Sequence, residues 1–200
     1  RDAGGRVVAK AETTLAEYDA GTFCQDLVID APRLWSPDTP DLYEAELRLY
    51  ADGELRDTRS VPFGVRKLKI VPDRGMFLNG EPIKFRGVCL HHDLGPLGAA
   101  VNVSALRRQL SILKEMGANA VRTAHNIPAP ELVELCDRMG LMVMVETFDE
   151  WRTPKMKNGY HLYFDEWAER DLVNTVRRFR NHPLVVMWCI GNEVPDQSSY

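Results

Sequence analysis

The chain has 200 residues, 44% hydrophobic and 27% charged, with 12 prolines and 14 glycines, the composition of a folded globular protein with enough apolar surface for one large core or two small ones. Its 25 basic and 29 acidic residues are spread along the length to a formal net charge of -4, so no cationic stripe faces phosphates, which argues against nucleic acid as a partner. The longest apolar runs, Leu184 to Ile190 and Leu141 to Val145, fall far short of the roughly 20 residues a membrane helix needs, so no span and no membrane partner is expected.

From Arg6 to about Ile70 the pattern predicts short antiparallel β runs: RVVAKAETTLA, TFCQDLVIDAP and LYEAELRLYADGELRDTRSVPFG, the last turning at Asp52-Gly53. This is sandwich-like, and too short for a complete sandwich of about 100 residues, so its first strands are expected to be missing. FLNGEPIKF then carries a second hairpin signal at Asn79-Gly80, its second arm running on into FRGVCLHHD as the first strand of a new region. Strand and helix alternate from there. NVSALRRQLSILKEMG is the first helix, capped by Asn102 or Ser104, with Leu106, Leu110, Leu113 and Met116 on one face and Gly117 as its stop. ANAVRTAH is a strand. PELVELCDRMG is a helix opened by Pro130 and closed by Gly140. LMVMVET is the third strand, and a third helix spans about Phe164 to Asn181 with Asp165 as N-cap and Ala168, Leu172, Val176 and Phe179 inward. LVVMWCI is the fourth strand.

Strands that are apolar throughout are buried on both faces, which is the mark of a parallel sheet covered by helices. Four βα repeats of this spacing fit the first half of an eight-stranded barrel. The competing doubly wound sheet would carry a glycine-rich phosphate turn after its first strand, and HHDLGPLGAA matches that pattern poorly. The four cysteines, Cys24, Cys89, Cys136 and Cys189, are far apart, and buried thiols are expected rather than a disulfide frame or a metal cluster. The first residues, RDAGGRVVAK, lack the apolar core of a secretory signal, leaving a cytoplasmic, processed or excerpted chain and the compartment undecided between cytoplasm, periplasm and secretion.

In barrels the chemistry sits at the carboxyl ends of the strands. Here the first strand ends in His91, His92 and Asp93; the second carries Arg122 and ends in His125 and Asn126; the third ends in Glu146, followed by Asp149, Glu150 and Trp151; the fourth ends in Asn192 and Glu193. The opposite ends begin with Ile83, Ala118, Leu141 and Leu184. A glutamate desolvated at a barrel mouth can stay protonated and donate to a leaving oxygen, an amide can bond a hydroxyl, and imidazole, guanidinium and the indoles of Trp151 and Trp188 suit a hydroxyl-rich ring. That set describes a sugar site. Plainer readings stand beside it: Trp188 as core filler, His92 as a loop brace, Arg122 with Glu146 as a buried ion pair, His182 as a structural group at a helix end, and RTPKMKNGYHLY, with Lys155 and His161, as a solvated loop.

Arg86-Gly87-Val88 with His91, NAVRTAH from Asn119 to His125, and VVMWCIGNE ending at Glu193 resemble glycoside hydrolase family 2, the β-galactosidases, β-glucuronidases and β-mannosidases; LWSPDTPDLY and FGVRKLKI are similar to the end of the immunoglobulin-like domain preceding its barrel. The resemblance implies residues 1–71 as the C-terminal part of an immunoglobulin-like β-sandwich and 72–200 as strands 1–4 of a TIM-barrel catalytic domain. It implies a retaining β-glycosidase, most similar to β-galactosidases, with Glu193 as general acid/base, Asn192 on the sugar 2-hydroxyl, His91 and His125 on the sugar, and Arg122 against the nucleophile. Glu146 and Trp151 complete the expected substrate-binding set. The nucleophilic glutamate belongs to a seventh strand, so the chain reads as an excerpt with no hydrolysis of its own. Magnesium-dependent members carry Glu-x-His after strand three; Glu150 and Arg152 stand at those positions, and a permanent cation in place of a ligand argues against that metal, so no cofactor is expected. A β-glucuronidase or β-mannosidase, a non-catalytic carbohydrate-binding relative, and an unrelated barrel glycosidase sharing Asn-Glu are the alternatives. The expected partner is a carbohydrate, with room for a homo-oligomer of the full-length enzyme.

Overall fold

The structure, a computed structural model, describes residues 1–14 and 24–195. It opens with a hairpin of β1 (Tyr43–Ala51) and β2 (Glu54–Phe63), turning at Asp52 and Gly53 with φ of 53° and 78°, the left-handed pair that a two-residue turn of this kind requires. A three-stranded antiparallel sheet follows, β3 (Leu68–Val71), β4 (Gly75–Leu78) and β5 (Glu81–Ile83), with Asn79 and Gly80 turning β4 into β5 as expected. A tight turn at Pro72 to Arg74, not foreseen, joins β3 to β4, so this sheet runs across the 71/72 division.

The N-terminal expectation needs correcting. The described parts of the two upstream runs, residues 6–14 and 24–32, hold no strand; residues 15–16 and 22–23 of the same runs lie outside the described residues. Among the described residues the hairpin is a sheet of two strands, and Leu47, Leu49, Tyr50 and Leu55 stand more than half exposed. A strand needs a neighbour for its backbone groups and a face to bury, and among the described residues these segments have neither.

The remainder is parallel. Strands β6 (Gly87–Leu90), β7 (Ala120–Thr123), β8 (Met142–Glu146) and β9 (Val185–Cys189) lie side by side in chain order, linked by α1 (Val103–Glu115), α2 (Pro130–Met139) and α3 (Phe164–Phe179). The sheet is open: these are four adjacent strands of parallel βα units, with no closed barrel among the described residues. The inner strand β8 is the most deeply covered, with Met142, Val143 and Val145 wholly inaccessible, whereas β6 and β9 each have a bare edge. That exposure overturns the expectation of buried thiols at Cys89, which lies open on β6, and at Cys24; Cys136 is buried, Cys189 half-buried, and all four are free.

Local signals placed the helices well. Asn102 caps α1 by accepting from the Ala105 N–H at 2.9 Å, and Leu106, Leu110 and Leu113 are buried, but Met116 is 70% exposed because the helix has already ended beside it. Pro130 opens α2, and Gly140 ends it at φ 71°, packed so tightly on Pro37 that an added Cβ would lie 2.2 Å from its carbonyl oxygen. In α3 the N-cap is Tyr163 rather than Asp165, whose carboxylate instead receives Arg152 Nε at 2.6 Å. Phe179 is buried as expected, while Ala168, Leu172 and Val176 are half-buried.

The amino ends of the parallel strands rest on the upstream segment. Trp35 is completely buried and donates its indole N–H to the Asp137 carbonyl at 2.9 Å. The Arg66 guanidinium reaches the carbonyls of Pro183 and Val185, the latter at 2.6 Å. Buried Asp137 pairs with His182 at 2.5 Å and takes the Leu184 N–H; desolvation raises its pKa, and the His182 contact opposes that shift only in part.

Candidate active site

Every strand of the parallel sheet delivers polar groups at its carboxyl end, and the structure joins those of β7, β8 and β9. Glu146, last residue of β8, is fully buried, with its own N–H on Thr123 Oγ1 at 3.0 Å. Its carboxylate takes Arg122 Nε on Oε2 at 2.5 Å and His125 Nδ1 on Oε1 at 3.0 Å. The bland reading of Arg122 and Glu146 as an ion pair therefore describes their contact, and this hydrogen bond raises the Arg122 pKa above even its ordinary value. Such a pair holds geometry because a buried carboxylate without its guanidinium would be uncompensated. His125 Nδ1 faces both Glu146 Oε1 at 3.0 Å and Arg122 Nη2 at 3.5 Å; donation along the shorter contact to the carboxylate leaves Nε2 as the ring's acceptor. His91, exposed at the tip of β6, packs edge-on against His125 with ring centroids 5.1 Å apart.

Arg122 also links β7 to β9. Its Nη2 donates to Asn192 Oδ1 at 3.0 Å, and Asn192 Nδ2 donates to Asp149 Oδ1 at 3.1 Å. Asn192 is thus held from both sides. Glu193 follows it with φ 46°, a left-handed conformation that costs a non-glycine residue about 1–2 kcal/mol. Its side chain is exposed, so the desolvation expected for it is not supplied by the described residues: β9 is the outer strand and nothing described lies beyond it. Trp151 points its indole N–H at the Ile190 carbonyl, 2.8 Å away, and its ring lies 6.0 Å from Phe164, which braces the end of β9. His92 braces its own loop through Ala99 O at 2.8 Å, as the plainer reading had it, and Trp188 is 36% exposed rather than core filling.

The loop after β8 is solvated along much of its length, with residues 152–158 exposed as expected, but residues 152–163 also fold around Glu150, only 3% exposed. The Glu150 carboxylate accepts the Lys155 N–H at 2.6 Å, the His161 N–H at 2.9 Å and His161 Nδ1 at 2.9 Å. Burial pushes its pKa up, but these donors outweigh burial and bring it down to about 2. Gly159 passes so close that an added Cβ would lie 1.8 Å from Glu150 Oε1. From this base Lys155 extends its ammonium to Asp149 Oδ1 at 2.9 Å and to the Asn192 carbonyl at 2.6 Å. Burial acts to raise Asp149, yet the Lys155 and Asn192 donors hold it below the usual range. Asp149, read only as a residue after the third strand, and Lys155, read as part of a solvated loop, were given no role in the site by sequence reasoning. The one available signal was an acidic pair, Asp149-Glu150, with a lysine and then Gly159 a few residues on.

The Glu150 oxygens accept three N–H groups, and Arg152, at the position where a metal ligand would stand, is engaged by Asp165.

The open parallel βα sheet thus gathers its polar groups at one end. Residues 70–200 match the family described as glycosyl hydrolases family 2, TIM barrel domain, and residues 1–66 match glycosyl hydrolases family 2. The β-galactosidase BoGH2A of Bacteroides ovatus is 50% identical over 202 residues, which is 100% of this chain and 24% of that protein. A glycosyl hydrolase family 2 member from Bacteroides cellulosilyticus superposes with a TM-score of 0.89 at 38% identity, covering 98% of this chain and 25% of its own. A β-glucuronidase from Bacteroides uniformis superposes with a TM-score of 0.72 at 34% identity, covering 85% and 20%. The chain belongs to glycoside hydrolase family 2 and spans about a quarter or less of the length of these relatives. Among the described residues no helix is long and apolar enough to cross a membrane.

Proposed function

We propose that the protein containing this chain is a retaining β-glycosidase, with terminal β-galactosides as its substrates. In this reading the upstream strands end an immunoglobulin-like sandwich, the parallel sheet is half of an eight-stranded barrel, and Glu193 is the general acid/base. The observation that carries it is the convergence of Arg122, His125, Glu146, Asp149 and Asn192 into one hydrogen-bonded network whose last member, Asn192, directly precedes Glu193. Glu193 protonates the leaving oxygen; a second carboxylate about 5 to 5.5 Å away, supplied by a strand outside this chain, attacks the anomeric carbon; Glu193 then deprotonates the water that frees the sugar. Asn192, its amide orientation fixed by Arg122 and Asp149, bonds the 2-hydroxyl, while His91, His125 and Trp151 bound the sugar. No magnesium enters the reading at Glu150, whose oxygens are taken by its own loop.

The β-galactoside preference is supported by the 50% identity to BoGH2A, and cleavage of β-glucuronides is the second reading, supported by the Bacteroides uniformis likeness. The full-length protein assayed on aryl β-galactoside, β-glucuronide and β-mannoside should favour the galactoside with retention of configuration. Inversion, or no turnover of any of the three, would refute the proposal.

A further inference from the structure

We infer that Lys155 is a positioning residue for Glu193: its ammonium ties the loop after β8 to the peptide that enters Glu193 and so fixes where that carboxyl stands. The inference rests on the reading of Glu193 as general acid/base.

A long surface lysine is ordinarily mobile, and ordering its stem opposes any contact it makes. Lys155 differs at both ends. Its backbone N–H is clamped on the buried Glu150 carboxylate at 2.6 Å, so the side chain starts from a fixed point. Its Nζ, with the side chain only 25% exposed, meets Asp149 Oδ1 at 2.9 Å and the Asn192 carbonyl oxygen at 2.6 Å. Asp149 Oδ1 also receives Asn192 Nδ2 at 3.1 Å, closing a ring of Lys155, Asp149 and Asn192 that joins two neighbouring strand tips. Bonds from an ammonium are stronger than neutral ones, and a carbonyl in such a bond cannot rotate freely.

The Asn192 carbonyl belongs to the peptide that links Asn192 to Glu193, so holding its oxygen holds the plane from which the Glu193 Cα departs. That residue sits at φ 46°, a conformation that relaxes unless its surroundings oppose it. The Asn192 side chain keeps a hold independent of Lys155, from Arg122 Nη2 on its Oδ1 at 3.0 Å. Losing the ammonium therefore frees the acid/base while leaving the 2-hydroxyl partner in place.

This separation makes the inference testable in the full-length enzyme by kcat/KM on two aryl glycosides of the preferred sugar. A dinitrophenyl leaving group departs without a proton, whereas a phenyl group needs the general acid. Lys155→Met should lose at least about tenfold on the phenyl glycoside and less than about threefold on the dinitrophenyl one, part of the 10²–10⁴-fold that general acid catalysis supplies. Lys155→Arg, which keeps a cation, should recover most of that loss. Equal losses on both substrates, or no loss on the phenyl glycoside, would overturn the inference. Glu193→Ala in the same assay separates the two readings: if it shows no leaving-group gap, the acid/base assignment itself fails; if it shows the gap and Lys155→Met does not, only the inference fails. Should Lys155→Met not fold, Lys155→Gln, which removes the ammonium and keeps a polar side chain, must show the same selective loss, and an unselective one overturns the inference equally.

Discussion

The two ends of the parallel sheet each use an arginine, in opposite ways. At the amino end Arg66 meets the main-chain carbonyls of Pro183 and Val185 without a carboxylate, and burial pulls its pKa below the ordinary value. At the carboxyl end Arg122 meets Glu146, His125 and Asn192, and its pKa rises. The first arrangement satisfies the backbone and docks one segment on another. The second stacks charge and hydrogen-bonding side chains at a bare edge where a ligand can replace water. The lesson is that one sheet separates stability from chemistry along its strands, so substitutions at the two ends should give different signatures.

The largest effect on stability is expected at the amino end. Trp35→Ala removes a wholly buried indole and its bond to Asp137 O, and should destabilise the full-length protein by about 3–5 kcal/mol in urea unfolding. Turnover of the surviving folded fraction should be little changed; a specific loss of kcat would break the division between the ends. Next comes Gly159→Ala near the carboxyl end. Its Cβ cannot coexist with Glu150 Oε1 at 1.8 Å, so the loop must shift, at about 1–3 kcal/mol and with a fall in turnover larger than the stability loss explains. Wild-type turnover in that variant would show that the clasp around Glu150 is dispensable.

The smallest effect is a local opening in acid. The folded Glu150 pKa, about 2, lies below its ordinary value of 4.5. Its contribution is therefore fully present above pH 4.5 and is lost as pH falls toward 2. Amide exchange at Lys155 and His161 should accelerate over that window, and Glu150→Gln should remove the pH dependence. Exchange that stays flat through the window would contradict the assignment of the clasp to the ionised carboxylate.

What the sequence disclosed follows the range of the interactions concerned. Asp52-Gly53, Asn79-Gly80, Asn102, Pro130 and Gly140 act within one turn of chain, and the apolar run at β8 announces burial directly, so hairpins, helices and the parallel sheet were legible. The upstream β runs were misread because a strand exists only beside a partner, which alternation cannot supply. Asp165 lost its cap role to a contact with Arg152, thirteen residues away in sequence, and Met116 missed the core because its helix stopped. At the site, the identity of the tip residues could be read, but not their connections. The loop 152–163 is largely exposed, as its polar sequence suggests, but its anchoring on a single buried glutamate could not be read, and Lys155 gained its place only through that fold.

The most direct test is to measure kcat/KM and the unfolding midpoint together for Glu193→Gln in the full-length protein. With an exposed side chain of nearly unchanged shape, the midpoint should stay put while kcat/KM on a phenyl glycoside falls by about 10²-fold or more. Turnover at the wild-type level in a normally folded variant would contradict the account.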